Sequence, residues 1–172
     1  YADGKVTKEE LNRQRYLYPL KAVGICDSAL AKAYEKDALA AIPTKSKLMP
    51  HAREVLEYLS GKYNLYILSN GFKELQSHKM RSSGIDEYFK KVVLSDDIGI
   101  LKPWPEIFHF ALSTTQSELN NSLMIGDSWE NDIVGAAGVG MHQVFYNLSG
   151  RTDLPFAPTY QITDLKDLFN FL

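Results

Sequence analysis

The chain has a single cysteine, Cys26, among its 172 residues. An internal disulfide is therefore excluded, and a reducing, cytoplasmic setting is expected. It also lacks any lysine- or arginine-rich run. Nineteen basic side chains face 21 acidic ones, giving a formal net charge of -2 and a pI near 6.1. That balance argues against nucleic acid or an anionic membrane as the main partner. No apolar segment is long enough to span a bilayer, and no signal peptide is recognisable at the start. Histidines number four and show no zinc-like spacing; His78 and His109 sit in amphipathic stretches and read as packing or surface residues. Internal repeats and low-complexity segments are absent too. Asn120-Asn121-Ser122 and Asn147-Leu148-Ser149 match the glycosylation pattern, but without an export signal they read as chance.

What is present points to a packed protein. Hydrophobic residues make up 45% and charged ones 23%, enough for a core and unlike a disordered chain. The length fits one ordinary domain or a core with a small appendage. Residues 1–42 read as helical. Thr7-Lys8-Glu9-Glu10 has the form of a capping box, and Asp27 caps a second run that stops at Pro43. From Pro50 onward, helices alternate with short apolar strands. "HAREVLEYLS" has helical spacing at Val55, Leu56 and Leu59 and ends at Gly61. "NLYILSNG", "KKVVLSDD", "SLMIGD" and "HQVFY" read as strands, with a weaker one at Tyr160–Ile162. "KELQSHKMRSS", closed by Gly84, "PEIFHFALSTT", Asn131 to Ala137, and Leu165 to Leu172 read as helices. Strands apolar throughout and alternating with helices call for a parallel sheet covered on both faces. Ligands of such sheets bind beyond the carboxyl ends of the strands.

Three strand ends carry chemistry. The first ends in Ser69-Asn70-Gly71 before a helix: a hydroxyl, a glycine that lets backbone amides approach, and a helix N-terminus form an anion seat. An ordinary capped turn would look the same. The second leads to Lys102, set before Pro103 and Pro105; it can hold a phosphate or carboxylate as a fixed point charge, or it can be a solvent lysine before a helix. The third, "LMIGDSWENDIVGAAGVG", gathers Asp127, Glu130 and Asp132 where an apolar strand surfaces. Magnesium needs only one or two carboxylates plus waters and substrate oxygens. Asp127 can ligate it directly, and Asp132 can hold a metal-bound water, orient a neighbour, or cap the helix. Glu130 reads as a solvated loop residue and Trp129 as packing or shielding. Gly135 to Gly140 suits close helix packing rather than dinucleotide binding. An anion seat, a lysine and a cation site on three successive strand ends together describe a phosphate-ester site.

In these pieces the sequence resembles the haloacid dehalogenase-like (HAD) hydrolase superfamily. "ILSNG" matches its second motif at Ser69, Ser95 to Pro105 its third at Lys102, and "GDSWEND" its fourth at Asp127 and Asp132. The likeness covers Pro50 to Leu172. It implies an α/β fold: a Rossmann-like three-layer sandwich with a mostly parallel sheet plus a helical cap. Residues 1–44 correspond to part of the cap and 45–172 to the core. "LSNGF" and the "YQITDL" ending are most similar to the pyrimidine 5'-nucleotidase branch. The family's first motif, D-x-D, carries the nucleophilic aspartate on the first core strand, and no D-x-D occurs in this chain. That strand is expected to come from an N-terminal segment or another chain. Tyr66–Leu68 and Met124–Ile125 should then flank it and not pair with each other.

The resemblance implies a magnesium-dependent phosphomonoesterase, a nucleotidase in its nearest branch, working through an aspartyl-phosphate. Without the nucleophile, this chain alone is expected to be inactive. Its substrate would be a small phosphorylated metabolite such as a nucleoside monophosphate. Asp127 and Asp132 would serve the metal; Ser69, Asn70, Gly71 and Lys102 would hold the phosphoryl group, with Ser69 and Lys102 catalytic. Lys102→Ala is expected to cost turnover and little stability. Two alternatives stand beside this: a dehalogenase, which needs no metal, and a non-catalytic phosphate- or partner-binding module.

Overall fold

Local signals become the expected elements wherever turn chemistry is explicit. The computed structural model describes residues 5–172, apart from the side chains of Lys8 and Glu9; the helical expectation for residues 1–4 lies outside the described residues. Two compact units divide the chain. One holds the described residues up to Ser46 together with Glu74–Ser83, and the other holds Lys47–Lys73 with Gly84–Leu172.

In the first unit, α1 (Lys8–Ala22) and α2 (Ser28–Ala41) lie side by side. Thr7 caps α1 by accepting from the Glu10 N–H. The Glu10 carboxylate does not return the bond; it takes Arg13 at 2.9 Å and Gln14 at 2.7 Å instead. One half of the capping box therefore forms, and one-turn side-chain pairs absorb the other half. Asp27 caps α2 through two N–H bonds, from Ala29 and Leu30, each 2.9 Å. Pro43 follows in a short 3-10 turn, Ile42–Thr44, and is buried. Helix α4 (Lys73–Ser83) joins this unit through most of its length. Ser82 Oγ donates to the Pro43 carbonyl at 2.7 Å, a tie that sequence order could not announce.

The second unit alternates strands and helices. Helix α3 (Ala52–Ser60) buries Val55 and Leu59 but only half-buries Leu56. The helix ends at Gly61 as expected, with the glycine at φ -75°, a right-handed value. The left-handed residue is at the other end: His51, at φ 62°, whose Nδ1 lies 2.7 Å from Asp164 Oδ1. Strands β1 (Tyr66–Ser69) and β2 (Lys91–Leu94) pair in parallel, as do β3 (Leu123–Gly126), β4 (His142–Tyr146) and β5 (Tyr160–Ile162) in that order. Helix α5 (Pro105–Thr115) links β2 to β3, and α6 (Val134–Gly138) precedes β4. All described pairings are parallel, giving the Rossmann-like α/β fold with helical cap. The final segment is a 3-10 helix, Leu165–Asn170, rather than a longer α-helix to Leu172. Asp164 caps its start from one side and Asp167 from the other.

β1 and β3 belong to separate ladders, as expected. Burial is uneven along the sheet. β4, paired on both sides, has three fully buried residues, while every residue of β1 and β3 is half-buried. The core beneath is aliphatic and aromatic: Val55, Leu59, Val144, Ile162 and Leu168 in one cluster, Ile107, Phe108, Ala136 and Met141 in another. Full burial of side chains such as Ile107 and Phe108 is worth about 1.5–3 kcal/mol each. Among the described residues, no helix is long and apolar enough to cross a membrane.

Candidate active site

The turn after β1 is closed locally: Ser69 Oγ accepts from the Gly71 N–H at 3.0 Å. The Asn70 side chain does something the sequence did not suggest. Its Oδ1 accepts from the Lys102 N–H at 2.8 Å and its Nδ2 donates to the Lys102 carbonyl at 3.0 Å. One amide thus holds both backbone groups of a residue in the next strand's loop.

That loop is shaped by its own signals. Ser95 is buried, and Gly99, at φ +70°, turns its N–H onto the Ser95 carbonyl at 2.7 Å. A side chain there would be strained, which accounts for the glycine in the Ser95–Pro105 pattern. The Lys102-Pro103 peptide is cis. Lys102 is not a solvent lysine: it is 8% exposed. Its Nζ donates to the Leu68 carbonyl at 2.8 Å and to Asp132 Oδ1 at 2.6 Å. An ammonium has three donors, so these two bonds leave one.

Beyond β3 the chain enters a π-helical turn, Trp129–Ile133, where a helix from Asn131 was expected. Ser128 organises it. Its carbonyl takes both the Asp132 and Ile133 N–H groups, and its hydroxyl caps the Asn131 N–H. Such widened turns collect at functional sites. Here the turn brings Asp132 back over the strand end, where Oδ2 accepts from the Ser128 N–H at 3.1 Å. Gly126 makes room for it: a Cβ at that position would lie 2.5 Å from the Asp132 Cβ and Cγ. Gly135 plays the same part behind, where a Cβ would meet the Phe108 ring at 2.6 Å and the Pro103 Cα at 3.0 Å. This is the close packing expected of the small-residue run.

The other acidic residues of this segment are placed differently. Asp127 is exposed, and its carboxylate has no hydrogen bond or ion pair among the described residues. Glu130 is exposed but bound, 2.6 Å from Arg151 Nη1, and that hydrogen bond chiefly holds its carboxyl below the ordinary value. Trp129 packs rather than faces solvent, edge-on to Phe145 at 5.2 Å and tilted against Phe156 at 4.9 Å. The Arg151 guanidinium lies 5.7 Å from its ring centroid. Asn147 is buried, with its amide bonded to the Arg151 carbonyl; burial and that bond remove it as a glycan acceptor. His78 and His109 are surface residues.

Ser69, Asn70, Gly71, Lys102 and Asp132 are thus linked by a chain of bonds and contacts, with Asp127 beside them in sequence and open to solvent. Sequence reasoning missed the side-chain role of Asn70, the need for Gly126, and Arg151. An asparagine directly after a strand-end serine, and a glycine directly before an aspartate, were the available signals.

A family model for haloacid dehalogenase-like hydrolases matches residues 8–140. The chain belongs to that family. The HAD-hydrolase YfnB of Bacillus subtilis is 30% identical over 175 residues, covering 100% of this chain and 73% of that protein. The crystal structure of YfnB bound to magnesium superposes with a TM-score of 0.88, over 100% of this chain and 75% of the other. The pyrimidine 5'-nucleotidase YjjG of Escherichia coli is 29% identical over 174 residues, 100% of this chain and 76% of the relative. A dehalogenase structure matches with a TM-score of 0.80 at 27% identity, over 95% of this HAD-family chain and 71% of the other.

Among the described residues, no group of three or more His, Cys, Asp and Glu side chains forms a cage for a metal. Magnesium does not require one, since it keeps several waters and takes one or two carboxylates plus substrate oxygens. The unpartnered Asp127 suits a direct ligand. Asp132, with one oxygen on Lys102 and the other on Ser128, suits the orienting role.

Proposed function

We propose that this chain serves a magnesium-dependent phosphomonoesterase whose substrates include nucleoside monophosphates. The observation that carries the reading is a buried, oriented ammonium, Lys102, on the same strand-end surface as an unpartnered carboxylate, Asp127. The ammonium would suit a phosphoryl oxygen, and the free carboxylate would hold a divalent metal that neutralises phosphoryl charge. The nucleotidase name of YjjG and the magnesium in the YfnB structure support the same reading.

In this reading Asp127 holds the metal and Asp132 keeps Lys102 in place. Lys102 offers its remaining N–H to a phosphoryl oxygen, and Ser69 with the Asn70 and Gly71 backbone contacts the others. Magnesium, when bound, neutralises charge on the phosphoryl oxygens as a Lewis acid. The nucleophilic carboxylate is proposed to arrive on a further parallel strand between β1 and β3, from a segment outside these residues or from a second chain. Its oxygen would bond to phosphorus as the ester P–O bond breaks, the leaving oxygen taking a proton from an acid on that same incoming strand to depart as the alcohol. Water, giving its proton back to that group, would then release phosphate from the aspartyl-phosphate.

A second reading, halide displacement from a small haloacid, is favoured by structural likeness to dehalogenases. The test separates the two. With magnesium, the complete protein, which includes the segment or chain that brings the nucleophile, hydrolyses a generic phosphate monoester; chelation abolishes this, and Asp127→Asn lowers it about 100-fold or more at unchanged melting temperature. Activity of the variant within about tenfold of wild type contradicts the metal-ligand role, since losing a charge-stabilising group normally costs more. Metal-independent halide release without phosphatase activity establishes the second reading.

A further inference from the structure

We propose that Asn70 is a positioning residue whose side-chain amide fixes the Lys102 ammonium relative to the end of β1. The observation is a closed ring of bonds. The Asn70 amide grips the Lys102 backbone at both its N–H (2.8 Å) and its C=O (3.0 Å). The same lysine's Nζ returns to the carbonyl of Leu68 in β1, two residues before Asn70 in the chain, at 2.8 Å. Both ends of the Lys102 side chain are therefore referred to one short stretch, residues 68–70, at the end of β1.

An unclamped lysine has a flexible four-carbon stem and ample rotamer entropy. The Asp132 carboxylate alone fixes its charge within reach but not in direction, because an ammonium accepts a partner along any of three donors. Two anchors on β1 plus Asp132 fix the direction of the third N–H as well. An asparagine does this where an ionised aspartate, which only accepts, cannot. The Lys102 N–H needs an acceptor and the Lys102 carbonyl needs a donor, and a carboxamide supplies both in one plane. This assignment concerns Asn70's side chain and is separate from any backbone contact to the phosphoryl group. It deepens the phosphatase reading and rests on it for its catalytic consequence, though not for its structural one.

Two measurements on Asn70→Ala test it, made on the complete protein with its nucleophile-bearing segment or chain, magnesium and a generic phosphate ester. First, kcat falls about tenfold or more while KM stays within about twofold, the split expected when an interaction used in the transition state is misplaced. Second, Lys102 is modified faster than in wild type by a small amine-acylating reagent read by mass spectrometry, at a temperature where the variant is folded. If the alanine variant does not fold, Asn70→Asp, which keeps the acceptor but loses the donor, carries the same two readings with smaller changes. Unchanged kcat with unchanged Lys102 reactivity overturns the proposal. A raised KM at constant kcat overturns it as well, because Asn70 would then bind substrate directly. Faster Lys102 modification in a protein that carries the nucleophile-bearing strand and still hydrolyses no phosphate ester upholds the clamp and overturns the phosphatase reading.

Discussion

Asp127 and Asp132 sit on one turn and are held in opposite ways. Asp132 is 5% exposed, with Lys102 on one oxygen and the Ser128 N–H on the other. Asp127 is exposed and has no partner among the described residues. The pair divides the work a strand end can ask of carboxylates. One balances the protein's own buried charge, and the other is left for something that arrives. A cluster of acidic residues in sequence is therefore not one site with three ligands. It is one internal counter-ion, one candidate ligand, and, in Glu130, one surface ion pair with Arg151.

The contrast breaks most visibly at the buried end. Asp132→Ala leaves the Lys102 ammonium buried without its counter-charge, and removal of one partner of such a pair costs about 3–5 kcal/mol. Urea unfolding of the variant should show a loss of that order. Asp132→Asn, which keeps an acceptor for Nζ, should lose less. A loss under about 1 kcal/mol for the alanine variant, the range of a surface pair, would mean that the two carboxylates are not held differently after all. The same reasoning changes the expectation for Lys102→Ala. The sequence suggested a loss of turnover at constant stability; the structure adds a loss of stability, since Asp132 would be orphaned in turn.

A smaller effect is expected at Gly126→Ala. The added methyl would press on Asp132 at 2.5 Å, and the turn must shift to relieve it, at a cost of about 1–3 kcal/mol. Thermal unfolding measures it. The variant should also lose activity beyond what its stability predicts, because the displaced carboxylate carries Lys102 with it. A stable variant with wild-type turnover would show that Asp132 does not depend on this contact.

Much of the arrangement was legible because it is local. Asp27, Gly84 and Pro105 mark helix ends through chemistry that operates within a few residues, and their helices begin or end where the sequence indicated. The Lys102, Asp127 and Asp132 strand-end positions were readable for the same reason. What was not readable depends on tertiary distance. The Asn70 clamp, the Ser82 tie to Pro43 and the His51–Asp164 pair join residues far apart in sequence, and no periodicity encodes them. The π-turn is a third kind of case. Its residues fit an ordinary helix equally well, and the bonds around Ser128 draw Asp132 back to Gly126 only in the folded chain.

The smallest effect belongs to Glu130, and it sharpens the comparison by its sign with pH. The hydrogen bond from Arg151 lowers the Glu130 pKa in the folded protein below its ordinary value of 4.5. A carboxyl depressed on folding contributes stability that is present above the unfolded value and lost as pH falls through the folded one. The melting temperature of wild type should therefore exceed that of Glu130→Gln slightly at neutral pH. The gap should close on acidification below about pH 4.5, once Glu130 is protonated and resembles glutamine. Because the Glu130 side chain is 69% exposed, added salt should shrink the gap as well. A gap for Glu130→Gln that widens in acid would mean the pairing with Arg151 does not stabilise the folded loop.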